Sequence, residues 1–208
     1  MTTSRQPAQS LKLHRFALSG HSHRVELLLS LLDLPVDKID VNLAAREHKT
    51  PAFLAMNPFG QVPVLQDGAL TLADSNAILI YLATQYGKEW LPQSATEAAE
   101  LQRWLSVAAG PLAFGPATAR LGTVFKAPID MPAAQARAHA LFAVLEAHLA
   151  QQDWLGGARV TLADVANYSY VAHAPEGGVS LSDYPQIRAW LARVEALPRF
   201  IPMQRSAS

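Results

Sequence analysis

The stretch from Glu47 to Tyr81 holds the groups best suited to binding chemistry. Asp74 and Ser75 precede Ala77, Ile78, Tyr81 and Leu82, the spacing of an amphipathic helix whose N-terminus lies at the Asp-Ser pair. Unpaired backbone N–H groups and the helix dipole favour an anion at such an end, although the same pair also serves as an ordinary N-cap. Upstream, Val62-Pro63-Val64-Leu65 reads as a short apolar strand with a proline near its start. That proline removes a ladder donor and predicts an edge or irregular strand, open to pairing with an added peptide. A cis Val62-Pro63 bond would turn the chain there and expose the Val62 amide and carbonyl; the sequence itself establishes only a turn. Together these features read as a binding site for a small peptide. His21-Ser22-His23 lacks a neighbouring carboxylate and makes no metal frame.

The elements that must position these groups follow from periodicity. Leu11, Leu13 and Phe16 predict a first strand, followed by a helix over 21–32 that Leu34-Pro35 stops. Val36 to Val41 reads as a second strand and Glu47 to Met56 as a short helix. Strands at 62–65 and 69–72, joined by the Asp67-Gly68 turn, precede a helix over 74–86. This order, βαβ then α then ββα, is that of a thioredoxin-like α/β domain over 11–86, after an N-terminal extension at 1–10. A linker at 87–94 leads to an all-α domain over 95–208. Helices are expected over 96–121, bent or broken at Gly110-Pro111 and Gly115-Pro116, over 133–151, and over 184–197. Thr161 and Asp164 form a capping-box variant, so Asp164 is read as structural, its loss costing about 1 kcal/mol or more.

Composition narrows the partners. Seventeen basic and seventeen acidic side chains cancel in 208 residues, which argues against nucleic acid or an anionic membrane. The polar N-terminus carries no apolar signal core, and Val25 to Leu34 is too short and too charged to span a bilayer, so a cytoplasmic protein is expected. The absence of cysteine excludes disulfides and thiolate metal sites.

The run EHKTPAFLAMNPFGQVPVLQDGALTLADSNAILIYLA resembles the glutathione-binding half of a cytosolic glutathione S-transferase, nearest the plant phi and related bacterial serine-type groups, and the likeness extends over the whole chain. It implies glutathione as co-substrate, with the thiol supplied by glutathione because the chain has no cysteine of its own. By resemblance, His48 and Lys49 bind the glycine carboxylate, Gln61 and the Val62 backbone hold the middle of the tripeptide, and Asp74 with Ser75 receives the γ-glutamyl end. Asp74 stands where the family more often has Glu. Ser19 matches the position of the phi-type catalytic serine and Arg24 the arginine that follows; Ser22 competes with Ser19, and His21 either contacts glutathione, relays a proton or is a solvated first-turn residue.

Such an enzyme lowers a thiol pKa. Moving it from about 8.5 to about 6.5 needs roughly 2.7 kcal/mol. A hydroxyl bonded to the charged sulfur supplies about 1.5–3 kcal/mol and a helix N-terminus about 0.3–1. The expected reaction is attack of the thiolate on a small hydrophobic electrophile. Alternatives are a glutathione-dependent peroxidase, isomerase or dehalogenase, or a non-catalytic binding or dimerisation module. The resemblance also implies an acceptor site between the domains, with Leu18, Leu112, Phe114 and His173 as candidates by position. It further implies a homodimer in which Phe59 either keys into the partner subunit or packs within its own.

Overall fold

The structure, a computed structural model, describes residues 6–206, so residues 1–5 of the expected extension and residues 207–208 lie outside the described residues. The chain divides into two compact units. One takes the chain up to Leu91 together with Pro198–Gln204, and the other takes Pro92–Leu197 with the chain from Arg205. Pro198–Gln204 thus packs with the first unit and not with the helical segment that precedes it in sequence.

The first unit runs β1 (Leu11–Arg15), α1 (Gly20–Leu31), β2 (Val36–Asp40), α2 (Pro51–Met56), β3 (Val64–Asp67), β4 (Leu70–Ala73) and α3 (Ser75–Tyr86). Its four-stranded sheet has the order β2-β1-β3-β4, with β2 parallel to β1 and β3 antiparallel to both β1 and β4. In β1 the alternation is clean: Leu11 and Leu13 are buried and Lys12 is exposed. Helix α1 is apolar around most of its middle, and Val25, Leu27, Leu28 and Leu29 are all buried. It ends in a Schellman motif: Asp33, at φ 56°, takes the left-handed position, while Leu34 N–H bonds Leu29 O and Asp33 N–H bonds Ser30 O, each at 3.0 Å.

Two expectations are corrected. The strand expected at the sheet edge is central, with β1 on one side and β4 on the other. Pro63 lies just ahead of β3, so every residue of the ladder keeps its donor and the edge argument loses its premise. The helix expected over 47–56 is two pieces, a 3₁₀ turn at Glu47–Lys49 and α2. Pro51 is the cause: it holds Thr50 extended at φ −70°, ψ 152°, and Thr50 then caps α2 by accepting from Phe53 N–H at 3.3 Å.

The second unit is helical: α4 (Ala95–Ala109), α5 (Thr118–Phe125), α6 (Met131–Leu149), α7 (Leu162–Ala172) and α8 (Pro185–Glu195). The expected long helix breaks at Gly110 and resumes through a π-helical segment, Ala113–Ala117, that accommodates Pro116. A side chain at Gly115 would come within 2.9 Å of the Ala138 amide nitrogen, so glycine lets this segment lie against α6. At the start of α7 the Thr161–Asp164 capping box is formed. Asp164 is fully buried, and its carboxylate accepts from Leu155 N–H at 2.8 Å, Thr161 N–H at 2.9 Å and the Trp190 indole N–H at 2.9 Å. Burial pushes its pKa up, against the pull of those hydrogen bonds.

Asp164→Ala strands these three buried donors at about 1–3 kcal/mol each, so the unfolding free energy falls by roughly 3 kcal/mol or more. Asp164→Asn, which keeps an acceptor oxygen, loses less. Urea unfolding of both variants measures the difference, and equal losses would show that the accepted hydrogen bonds are not what the carboxylate contributes.

Candidate functional site

Sheet direction gathers the candidate residues. Because β2 is parallel and β3 antiparallel to β1, and β4 is antiparallel to β3, the C-terminal ends of β1, β2 and β4 meet the N-terminal end of β3 at one edge. Val64 pairs with both His14 and Ala73. The Val62-Pro63 peptide therefore lies beside the turn from β1 into α1, which carries Ser19, and beside the turn from β4 into α3, which carries Asp74 and Ser75. The connection leaving β2 at the same edge carries His48 and Lys49. The Val62-Pro63 bond is cis.

Ser19 and Ser22 occupy different environments. Ser19 is the N-cap of α1, half-buried, and its Oγ accepts from Ser22 N–H at 3.2 Å. Ser22 is fully buried, and its Oγ accepts from Phe16 N–H at 3.2 Å. A serine hydroxyl has one donor and two acceptor positions, so the bond from Ser22 N–H leaves the Ser19 hydroxyl hydrogen able to point elsewhere.

The two helix N-termini are tied together by Arg24, a buried side chain on α1. Its Nη1 donates to Ser75 Oγ at 3.3 Å and to Asn76 Oδ1 at 2.9 Å. Ser75 Oγ also lies 3.4 Å from His21 Nδ1. His21 is half-buried rather than solvated. Burial first, and then the Arg24 charge, lower its pKa from 6.5 to about 3, so at neutral pH it is a neutral ring with Nδ1 in hydrogen-bond reach of the Ser75 hydroxyl. Asp74 caps α3, with Oδ1 accepting from Ala77 N–H at 2.9 Å. Its backbone stands at φ 71°, ψ 122°, a conformation that costs an ordinary residue energy and is found where surrounding structure imposes it.

The loop before the cis bond is organised by Asn57, a residue with no reading of its own in the sequence. Asn57 is buried; its Nδ2 donates to Gln61 O at 2.8 Å, its Oδ1 accepts from Phe59 N–H at 3.1 Å, and its carbonyl accepts from Gly60 N–H at 2.8 Å. The signal that could have found it is local: Asn before Pro-x-Gly is a side-chain-stabilised turn. Gly60 stands at φ 57°, and a Cβ there would come within 2.7 Å of Lys49 Nζ. Lys49 Nζ donates to Phe59 O at 3.2 Å and Gly60 O at 2.9 Å, so this ammonium commits two of its three donors to the loop. His48 is half-buried with its pKa lowered by desolvation and by Lys49 and Arg46, which makes it a neutral ring at pH 7 and not a cation. Gln61 is exposed, and so is Phe59, at 78%. Among the described residues no cluster of histidine and acidic side chains could hold a metal ion, and no helix is long and apolar enough to cross a membrane.

Residues 9–84 match the profile of the glutathione S-transferase N-terminal domain, and residues 117–198 that of the C-terminal domain. Glutathione S-transferase 3 of Zea mays is 37% identical over 207 aligned residues, covering 91% of each chain. The crystal structure of a glutathione S-transferase from Pseudomonas fluorescens superposes with a TM-score of 0.90 at 31% identity, covering 95% of this chain and 100% of the other. A theta class glutathione S-transferase from Xanthomonas axonopodis pv. citri, solved with glutathione bound, superposes with a TM-score of 0.84 at 31% identity over 91% of this chain and 94% of its own.

The neutral state of His21 has a measurable consequence. Above pH 6.5 the ring is neutral whether the chain is folded or not; between 6.5 and about 3 only the unfolded chain takes up the proton. Stability therefore falls as pH drops through that window, by up to about 1.4 kcal/mol per pH unit from this one group. Urea unfolding at pH 7 and pH 5 is expected to show a smaller pH dependence in His21→Asn than in the parent. Identical slopes would place His21 outside the buried, Arg24-facing position.

Proposed function

The chain belongs to the glutathione S-transferase family, and from that premise we propose that it activates glutathione as a thiolate for attack on small hydrophobic electrophiles, with Ser19 as the catalytic residue. The observation that carries this reading is the contrast between the two serines: Ser22 is fully buried and bonded to Phe16 N–H, whereas Ser19 is partly open at the first turn of α1.

Glutathione lies across the sheet edge that gathers the strand ends. Its γ-glutamyl end meets Asp74 and Ser75 at the N-terminus of α3, where the carboxylate of Asp74 takes the ammonium and the helix dipole favours the carboxylate. The Val62 N–H and C=O, lying ahead of the β3 ladder, pair with the backbone of the tripeptide, as in addition of a short strand. Gln61 flanks that contact. His48, as a neutral donor, and the remaining donor of Lys49 hold the glycine carboxylate. The cysteinyl sulfur is thereby set at Ser19, whose hydroxyl donates to it while accepting from Ser22 N–H. Serine does not take the thiol proton; it stabilises the charge left when that proton goes to solvent. The thiolate then forms a C–S bond at the electrophilic carbon, and the displaced electron pair leaves with the departing group or is protonated by water. Such conjugation is detoxification chemistry. It fits the cytoplasm, where a glutathione pool is maintained, and a homodimer in which the exposed Phe59 inserts into the partner subunit.

Calorimetric titration with glutathione, followed by ultraviolet absorbance of the bound thiolate across pH, tests the reading: binding with a depressed thiol pKa supports it, and binding without the shift leaves only a glutathione carrier. Ser19→Ala removes a charge-assisted bond of about 1.5–3 kcal/mol, raising the bound thiol pKa by about 1–2 units with affinity nearly unchanged. An unaltered pH profile would move the role to Ser22 or His21. Asp74→Ala and Ser75→Ala weaken glutathione binding instead, and unchanged affinity in both would remove the γ-glutamyl assignment. Phe59→Ala shifts the protein towards monomers in sedimentation velocity; a fully dimeric variant would return Phe59 to an incidental exposed position.

A further inference from the structure

The first unit contains a segment that no sequence pattern marked. Arg199 to Met203, irregular in backbone, lies along α1 and is held on it by polar contacts. Ser30 Oγ donates to Arg199 O at 2.7 Å, the Arg199 guanidinium pairs with Asp33 at 2.9 Å, and His23 Nε2 donates to Ile201 O at 2.9 Å. A carbonyl only accepts, so the His23 ring carries its proton on Nε2 in this contact. His23, Ser30 and Asp33 fall along one side of the helix and its C-terminal turn, and Met203 at the far end of the segment is buried.

The contact at His23 reaches the first turn of α1. The amide of His23 donates to Ser19 O at 2.9 Å, the opening hydrogen bond of the helix, while its ring is fixed by Ile201 O. His23 is buried, so its ring cannot trade this acceptor for water without moving the turn. We propose that the Arg199–Met203 strap is a positioning element for Ser19, acting through His23. It holds the first turn of α1 in the geometry that aims the Ser19 hydroxyl. His23 is on this account a positioning residue and not a catalytic one. The inference rests on Ser19 as thiolate donor.

The geometric reason for such a device is the sensitivity of a hydrogen bond to direction. The Ser19 oxygen accepts from Ser22 N–H, so the position from which its hydroxyl donates is set by the turn that supplies that N–H. Motion of that turn by a fraction of an ångström misaligns the donor, with little effect on contacts made elsewhere along the tripeptide.

The test measures the bound glutathione thiol pKa, with kcat and KM for a chromogenic aryl halide, in His23→Leu, His23→Gln, Ser19→Ala and the Ser19→Ala/His23→Leu double variant. His23→Leu is expected to raise the thiol pKa and lower kcat at least about threefold near neutral pH with KM for glutathione little changed. Gln, whose side-chain amide can still donate to Ile201 O, restores most of the loss. In the Ser19→Ala background His23→Leu adds nothing, because the donor it positions is gone. Ser30→Ala, which removes the strap's other carbonyl anchor away from the first turn, shifts the pKa in the same direction and serves where His23→Leu does not fold. If Ser19→Ala shifts the thiol pKa while His23→Leu and Ser30→Ala do not, the strap has no positioning role. Simple additivity of the His23 and Ser19 effects would equally exclude that role. If Ser19→Ala itself shifts nothing, it is the assignment of Ser19 that falls, and the inference with it.

Discussion

A proline has no N–H to give to a ladder, and β3 is a central strand in which N–H groups are needed on both sides. The two facts are compatible only if the ladder begins after Pro63, as it does at Val64. Much of the candidate site follows from that constraint. The backbone of Val62 lies outside the sheet, next to it, with neighbours already placed by register: Val64 opposite His14 and opposite Ala73. The chain arrives at this point through a loop that Asn57 and Lys49 hold by its own carbonyls and amides, so that loop is determined from within the unit.

Arg24 sets the electrostatics of the same edge. A buried guanidinium is costly to desolvate, and it is retained here with side-chain acceptors from both Ser75 and Asn76. Its planar, multiply donating head suits two acceptors on successive residues better than an ammonium would. The effect extends beyond those bonds. Its charge adds to burial in keeping His21 neutral, so two positive groups do not crowd the N-termini of α1 and α3. The Arg24 guanidinium and the two helix N-termini favour negative charge here, part of which Asp74 already supplies as the cap of α3.

What could be read from sequence is what depends on near neighbours. The alternation of Leu11 and Leu13, the Asp-Gly hairpin signal and the Thr161–Asp164 box are local patterns that mark their elements, although the turn itself is Gly68-Ala69, one residue later than expected, with Asp67 still in β3 opposite Leu70. The expected start of β3 falls two residues early, on the Pro63 side, enough to turn a central strand into an apparent edge. The order β2-β1-β3-β4 is settled by pairing between distant segments that no window contains. The same holds for the bond from His23 to Ile201, 178 residues apart, and for that from Arg24 to Ser75, 51 apart. Lys49 could be read as a cation near the site, but not as a clamp on Phe59 and Gly60, because the loop must first be folded for its carbonyls to converge.

Burial and charge alone would rank Asp164 above Ser19 as a candidate for function. Both stand at a helix N-terminus, and Asp164 has the more perturbed environment, with a raised pKa of the kind that often marks a catalytic acid. Its oxygens, however, are taken up by Leu155, Thr161 and Trp190 in a fully buried position, and a carboxylate so used has no geometry left for a substrate. Ser19 has the opposite profile. Its oxygen accepts one backbone bond, its side chain is partly open, and its hydroxyl proton keeps a direction to point in. A capping residue with its hydrogen-bonding capacity consumed by the protein stabilises a helix; one with a donor left over at an open turn can do so and still stabilise an anion brought to it.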